Sequence, residues 1–366
     1  MREFSQEQEN KIEQLLKEMT LEEKVGQMVL LSPSIVGGFE LSFEELIELV
    51  TDGRISKEEF SRIMSSAEKD YHENEIRAGK VGSISIIDPE KANELQKIAV
   101  EESRLGIPLI FGLDVIHGFR TVFPIPLAEA CTWDEALWER TAGIAAREAR
   151  ANGIHWTYAP MIDISRDARW GRIAESPGED PYLASLYARA KVRGFQGNLG
   201  SENIAACLKH YVGYGAAESG QDYNTVSMAK SLLFNVYLPP FKAGVEEGAL
   251  SVMSAFNDLN GVPCTVNRYL LREILKDACH FKGFVVSDAN AIRECVNHGI
   301  ASDLEDAALK ACSAGVDMDM NSGLYHEYLM ELVQEGKLPL ELVDDAVRRI
   351  LRVKMALGLF DNPYLP

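Results

Sequence analysis

The sequence predicts an α/β protein: a single-domain (β/α)8 (TIM) barrel with a helical insertion after its first strand. Three observations predict it. Short β-rich apolar runs recur eight times, stretches of helical periodicity separate them, and polar or charged residues stand where the runs stop. At 366 residues the chain exceeds the usual one-domain length, as α/β barrels often do. With 46% hydrophobic and 25% charged residues it has an ordinary globular balance and ample material for a core.

The runs are, in order, "VGQMVLLS" (25–32), "VGSISII" (81–87), "IPLIFGLD" (107–114), "IHWTYAPMID" (154–163), "AACLKHYVG" (205–213), "LSVMSAFN" (250–257), "FKGFVVSD" (281–288) and "GVDMDM" (315–320). Between them, 134–151 starts at Asp134 and continues through "EALWERTAGIAAREARA", and 340–357 is the amphipathic "LELVDDAVRRILRVKMAL". The gap at 33–80 is longer than one crossover needs; its charged, helix-forming sequence is expected to be the insertion.

Composition excludes several classes of function. A balance of 37 basic against 56 acidic residues gives a net charge of −19, which repels nucleic acid and anionic membranes. No apolar h-region opens the chain and no stretch is long enough to span a bilayer. It therefore reads as soluble and cytoplasmic as given, or periplasmic or secreted if a signal peptide was removed. Six cysteines scattered through apolar segments, with no C-x-x-C pair, read as buried thiols. The absence of a phosphate-binding glycine motif and of H-x-H or H-E-x-x-H leaves carboxylate chemistry, with no metal or organic cofactor implied.

In a (β/α)8 barrel the active site lies at the C-terminal ends of the strands. The run ends supply Asp114, Asp163, Lys209 with His210, Asn257, Asp288, and Asp317 with Asp319. Asp288 closes "GFVVSD" and has two readings, a cap for the helix that follows or a catalytic acid. Strand alternation sends Lys209 and His210 to opposite sides, one to the mouth and one to brace a neighbour, and a buried Lys209 needs a carboxylate or polar partner. In the loop "DISRDARWGRIAESPGEDPYLAS" (163–185), Arg172 offers a planar donor fork and Trp170 an apolar face for a sugar ring; a salt-bridged cover is the plainer reading.

The stretches "MTLEEKVGQM", "GLDVIHGFRTVFPIPLA", "APMIDISRDARWGRIAESPGEDPYLAS", "KHYVGYGAAESGQDYNTVSM", "LPPFKAGVEEGALSVMSAFNDLNGVPCT", "HFKGFVVSDANAI" and "AVRRILRVKMALGLFDNPY" occur in that order. With them the chain resembles the N-terminal barrel domain of family 3 glycoside hydrolases, of the bacterial periplasmic β-glucosidase type. The resemblance implies retaining hydrolysis of terminal non-reducing β-D-glycosidic bonds. It makes Asp288 the nucleophile that forms a covalent glycosyl-enzyme, with Asp114 accepting hydrogen bonds from sugar hydroxyls and Arg172, Lys209 and His210 donating them. Its substrate would be a β-glucoside or related oligosaccharide. Phe256 stands where many members have tyrosine.

Retaining hydrolysis also needs an acid to protonate the leaving oxygen. The resemblance implies that a glutamate from a C-terminal α/β domain supplies it. Residues 1–360 are then expected to form the barrel domain and 361–366 the start of a linker to that absent domain. Single-domain members use a histidine at the position held here by Tyr214. Two alternatives stay open: a catalytically silent carbohydrate-binding barrel, or a complete glycosidase whose acid is Glu218 or comes from a partner chain.

Overall fold

A computed structural model describes residues 4–36, 49–50, 52–60, 68–86 and 88–365. Among the described residues, each predicted run contains a strand of one parallel system. These are β1 (Val29–Leu31), β2 (Ser83–Ser85), β3 (Ile110–Leu113), β4 (Trp156–Thr157), β5 (Cys207–Tyr211), β6 (Ser251–Ser254), β7 (Phe284–Val286) and β8 (Asp319–Met320). Hydrogen bonding orders five of them β8-β1-β2-β3-β4 and the other three β7-β6-β5. Single parallel bridges connect the groups, Trp156 to Ala205 and Met161 to Lys209 on one side and Val286 to Met318 on the other. The register pairs β1 with both β2 (Leu30 opposite Ser83) and β8 (Val29 opposite Asp319). These eight strands therefore run the same way, and their C-terminal ends share one face.

The helices form where the apolar period changes from two to 3.6. The helix Glu135–Arg150 begins at Asp134, whose carboxylate accepts from the Leu137 N–H, and Pro181–Gln196 begins at Asp180, which accepts from the Leu183 N–H. The last helix, Leu340–Ala356, turns Val343, Val347, Ile350 and Leu351 inward, the i, i+4, i+7, i+8 stripe of its sequence. Packing inside the sheet is close. A Cβ on Gly112 of β3 would fall 2.4 Å from the Tyr158 hydroxyl, which uses that space to meet Ser85 Oγ at 2.7 Å. Trp156 reaches from β4 to donate to Ser251 Oγ of β6 at 2.7 Å and meets Phe284 of β7 edge-on at 5.1 Å between ring centres.

Three expectations change. Residues 25–27 of the first run belong to the helix Leu21–Gln27, started by a Thr20–Glu23 capping box, so β1 begins only at Val29. Around the insertion, Ser34–Val36 and Glu68–Asp70 pair as an antiparallel ribbon, and helical turns occur at 57–60 and Glu73–Arg77. The rest of the predicted helical insertion, at 37–48, 51 and 61–67, lies outside the described residues. Finally, Cys131 is exposed and Cys279 half-buried; the other four cysteines are buried as read. No helix among the described residues is long and apolar enough to cross a membrane.

Candidate active site

The C-terminal ends of the strands surround an open cavity of about 570 Å³, lined by Asp114, Arg172, Lys209, His210 and Asp288 among others. These five residues come from the ends of β3, β5 and β7 and from the loop after β4, so the sheet gathers side chains up to 174 positions apart in sequence (288 − 114).

Asp288 follows Val286 and Ser287, and its backbone is fixed because the Ser287 and Asn290 N–H groups donate to Met318 and Met320. One carboxylate oxygen, Oδ1, accepts from the adjacent Ala289 N–H at 2.8 Å; the other, Oδ2, is buried and has no hydrogen-bond partner. The helix Ala291–Asn297 starts at Asn290 without any side-chain cap, so the capping reading of Asp288 is not realised. Burial pushes the Asp288 carboxyl up to about 7, against the pull of Lys209, Arg172 and the Ala289 N–H.

Lys209 is 4% exposed and places Nζ 2.7 Å from Asp114 Oδ1, the carboxylate partner its burial calls for. His210, 1% exposed, lines the same cavity as Lys209, contrary to the expected division between mouth and brace. The register of β5 against β6 shifts between Leu208 and Tyr211, so the alternation of a regular strand does not hold there. His210 Nδ1 lies 2.8 Å from Asp163 Oδ2, and Nε2 lies 3.6 Å from Asp288 Oδ2. Burial, with Arg172 and Lys209 nearby, holds the imidazole well below its usual range. Burial pushes the Asp163 carboxyl up to about 8, opposed by the His210 N–H and the cation of Arg172.

Arg172 makes a two-pronged bond to Glu175, Nε to Oε1 at 2.8 Å and Nη2 to Oε2 at 3.0 Å, and lies over the Tyr214 ring at 5.7 Å. Sequence reasoning passed over Glu175, although its i, i+3 spacing from Arg172 was the available signal. It also passed over Tyr158, which lines the cavity from just beyond β4.

Other readings are corrected. Trp170 is 1% exposed: its indole N–H donates to Asp222 at 2.9 Å and its ring meets Tyr214 edge-on, so it builds the loop and offers no face to a sugar. Asn257 bonds inward to the Asp258 carbonyl, Asp317 pairs with the buried Lys276 at 2.6 Å, and Asp319 accepts from Ser322 and Tyr325. These three hold backbone and scaffold and do not line the cavity. Glu218 is exposed and lines a separate cavity with Arg166 and Asp167. Phe256, 9% exposed, packs against Tyr223 at 4.8 Å. Among the described residues no group of His, Cys, Asp and Glu is placed to hold a metal ion.

This chain is similar to proteins already known. It is 40% identical over 353 residues to a periplasmic β-glucosidase of Salmonella typhimurium, covering 96% of this chain and 42% of that one. It is 35% identical over 367 residues to a putative β-xylosidase of Formosa agariphila, covering 98% and 47%. The crystal structure of a β-glucosidase from Listeria innocua in complex with isofagomine superposes with a TM-score of 0.84 at 39% identity, over 99% of this chain and 47% of that one. The chain thus spans less than half the length of these relatives. The sequence pattern of the glycosyl hydrolase family 3 N-terminal domain matches residues 20–353, and the chain belongs to that family.

Proposed function

We propose that the chain forms a (β/α)8 barrel carrying the nucleophile and the sugar-binding groups for retaining hydrolysis of terminal β-D-glycosidic bonds, with β-glucosides as the substrate class. The observation that carries this reading is the unpartnered, buried Oδ2 of Asp288 at the edge of a cavity whose other groups are Asp114, Lys209, His210 and Arg172. The ring of parallel pairings, with β1 bonded to both β2 and β8, supports the barrel.

In the proposed reaction Asp114, Lys209, His210 and Arg172 orient the non-reducing sugar by its hydroxyls. Ionised Asp288 attacks the anomeric carbon, the bond from that carbon to the aglycone oxygen breaks, and an acid protonates the departing oxygen. Water, deprotonated by the same acid's conjugate base, then releases the sugar and restores the Asp288 carboxylate. Lys209 and Arg172 stabilise the ionised nucleophile, offsetting part of the cost of its burial.

Among the described residues, the carboxylates lining the cavity besides Asp288 are Asp114, bonded to Lys209, and Glu175, bonded to Arg172. We therefore place the acid outside the cavity wall, in a C-terminal α/β domain that residues 361–366 would begin to join to the barrel of residues 1–360. The position of Glu218 in another cavity gives no support to that residue as the acid. General acid catalysis contributes about 10²- to 10⁴-fold where the leaving group needs a proton. The chain alone is expected to turn over an activated aryl β-glucoside slowly and cellobiose hardly at all, with Asp288→Asn abolishing both. Full cellobiose hydrolysis by the 366 residues would instead place the acid within them.

A further inference from the structure

His210 carries a second, unused piece of information: its ring is tied to a carboxylate that does not touch the cavity. Asp163 is 1% exposed and sets a single oxygen, Oδ2, against two nitrogens of the same residue: it accepts from the His210 backbone N–H at 2.9 Å and lies 2.8 Å from ring Nδ1. Asp163 is itself held, since Ser176 Oγ donates to its carbonyl at 2.7 Å. The Tyr214 ring and the imidazole pack edge to face, 5.3 Å between centres at 81°. Turning the imidazole over would replace Nδ1 with a carbon and strand a buried acceptor.

We propose that Asp163 is a positioning residue that locks His210 as the Nδ1–H tautomer, so that Nε2 faces the cavity as a hydrogen-bond acceptor. An oxygen that already accepts a backbone N–H is best matched to a second donor, which places the ring proton on Nδ1. Oδ1 of Asp163 is buried without a hydrogen-bond partner, and with the carboxyl ionised, or with its proton on Oδ1, Oδ2 is the acceptor of both bonds. Burial and the neighbouring cations Lys209 and Arg172 disfavour a second proton on the ring. The 3.6 Å between Nε2 and Asp288 Oδ2 is then a gap between two acceptors, too long for a hydrogen bond. Resting on the reading of the cavity as a sugar site, the hydroxyl that meets His210 donates to it. This reverses the donor role that the sequence resemblance implied.

The test needs no substrate, so it stands whether or not the chain hydrolyses glycosides. In the full chain labelled with 15N-histidine, long-range 1H–15N NMR at pH 7.5, with His210 assigned by its loss in His210→Gln, is expected to show Nδ1 protonated and Nε2 bare. Asp163→Asn, whose amide oxygen can accept both bonds, is expected to keep that pattern. Asp163→Leu is expected to shift the ring mainly to Nε2–H. A wild-type ring protonated at Nε2, alone or together with Nδ1, would overturn the proposal, as would an Asp163→Leu spectrum like the wild type. If Asp163→Leu does not fold, the Nδ1-bound proton serves. It is expected far downfield in the wild type and upfield of that in Asp163→Asn, and an unmoved resonance would overturn the role of Asp163.

Discussion

Oδ2 of Asp288 lies 3.6 Å from Nε2 of His210 and is buried without a hydrogen-bond partner, while Oδ1 of the same carboxylate is tied to the backbone. A stable fold seldom leaves a carboxylate oxygen in this state, because desolvating it without a partner is unfavourable. The arrangement makes sense if a substrate completes it.

Asp288 should destabilise the empty protein at neutral pH. Its folded value of about 7 lies above the unfolded value of about 3.9. The folded state therefore binds more protons between those values, and the favourable contribution, complete below the lower one, is lost as pH rises through the higher. Asp288→Asn, which cannot ionise, is expected to be more stable than the wild type by about 2–4 kcal/mol at pH 8 and nearly equal to it at pH 4. Urea unfolding at the two pH values checks this; equal stability at both would contradict it.

The same ionisation should govern rate. For an activated aryl β-glucoside, whose leaving group needs little protonation, kcat/KM is expected to rise about tenfold per pH unit below 7 and level off above it. A profile flat from pH 5 to 8 would show that the nucleophile is already ionised in the free site.

Lys209 and Asp114 should act as one unit in binding. Asp114→Ala removes an acceptor for sugar hydroxyls and leaves Lys209, 5% exposed at its side chain, without its partner 2.7 Å away. Calorimetry with glucose is expected to show affinity about 10- to 100-fold weaker, in line with the loss of a charged hydrogen bond. Stability falls by about 1 kcal/mol, modest because the Asp114 side chain is half exposed. The double variant Asp114→Ala/Lys209→Met is expected to regain stability but not binding. Recovered glucose affinity in that double variant would remove both residues from the site.

Glu175 should matter only through Arg172. Its two-pronged bond holds the guanidinium in one plane at the cavity wall. Glu175→Ala is expected to weaken glucose binding about tenfold, as loss of one oriented charged contact does, with little change in melting temperature. Glu175→Asp, too short to keep both prongs, is expected to fall between. If Arg172→Ala binds glucose as the wild type does, this account of Glu175 fails with it.

Much of the fold could be read because each of β1–β8 lies within a compact apolar run, and its period contrasts with that of the neighbouring helices. The run ends marked Asp114, Lys209, His210 and Asp288 for the same reason. What could not be read depended on contacts between distant segments or on departures from regular geometry. Trp170 sits in a loop that looks exposed by composition, yet its indole is drawn inward by Asp222, 52 residues away. Asp317 and Asp319 end a run as Asp288 does, but Lys276 and Ser322 claim them for the scaffold. Lys209 and His210 share the cavity where β5 breaks register, a change that strand alternation cannot foresee. Glu175 was visible at i, i+3 from Arg172, but so are many surface pairs that hold nothing in place.

The most direct measurement is to trap the nucleophile. A 2-deoxy-2-fluoro-β-glucoside with a dinitrophenolate leaving group slows release of the glycosyl-enzyme and needs no acid to form it. Incubated with the 366-residue chain, it is expected to add one fluoroglucosyl unit to the intact mass. Peptide mapping should place that unit on Asp288, and Asp288→Asn should give no adduct. An adduct on another carboxylate, or none while glucose still binds the cavity, would contradict the assignment of Asp288 as the nucleophile.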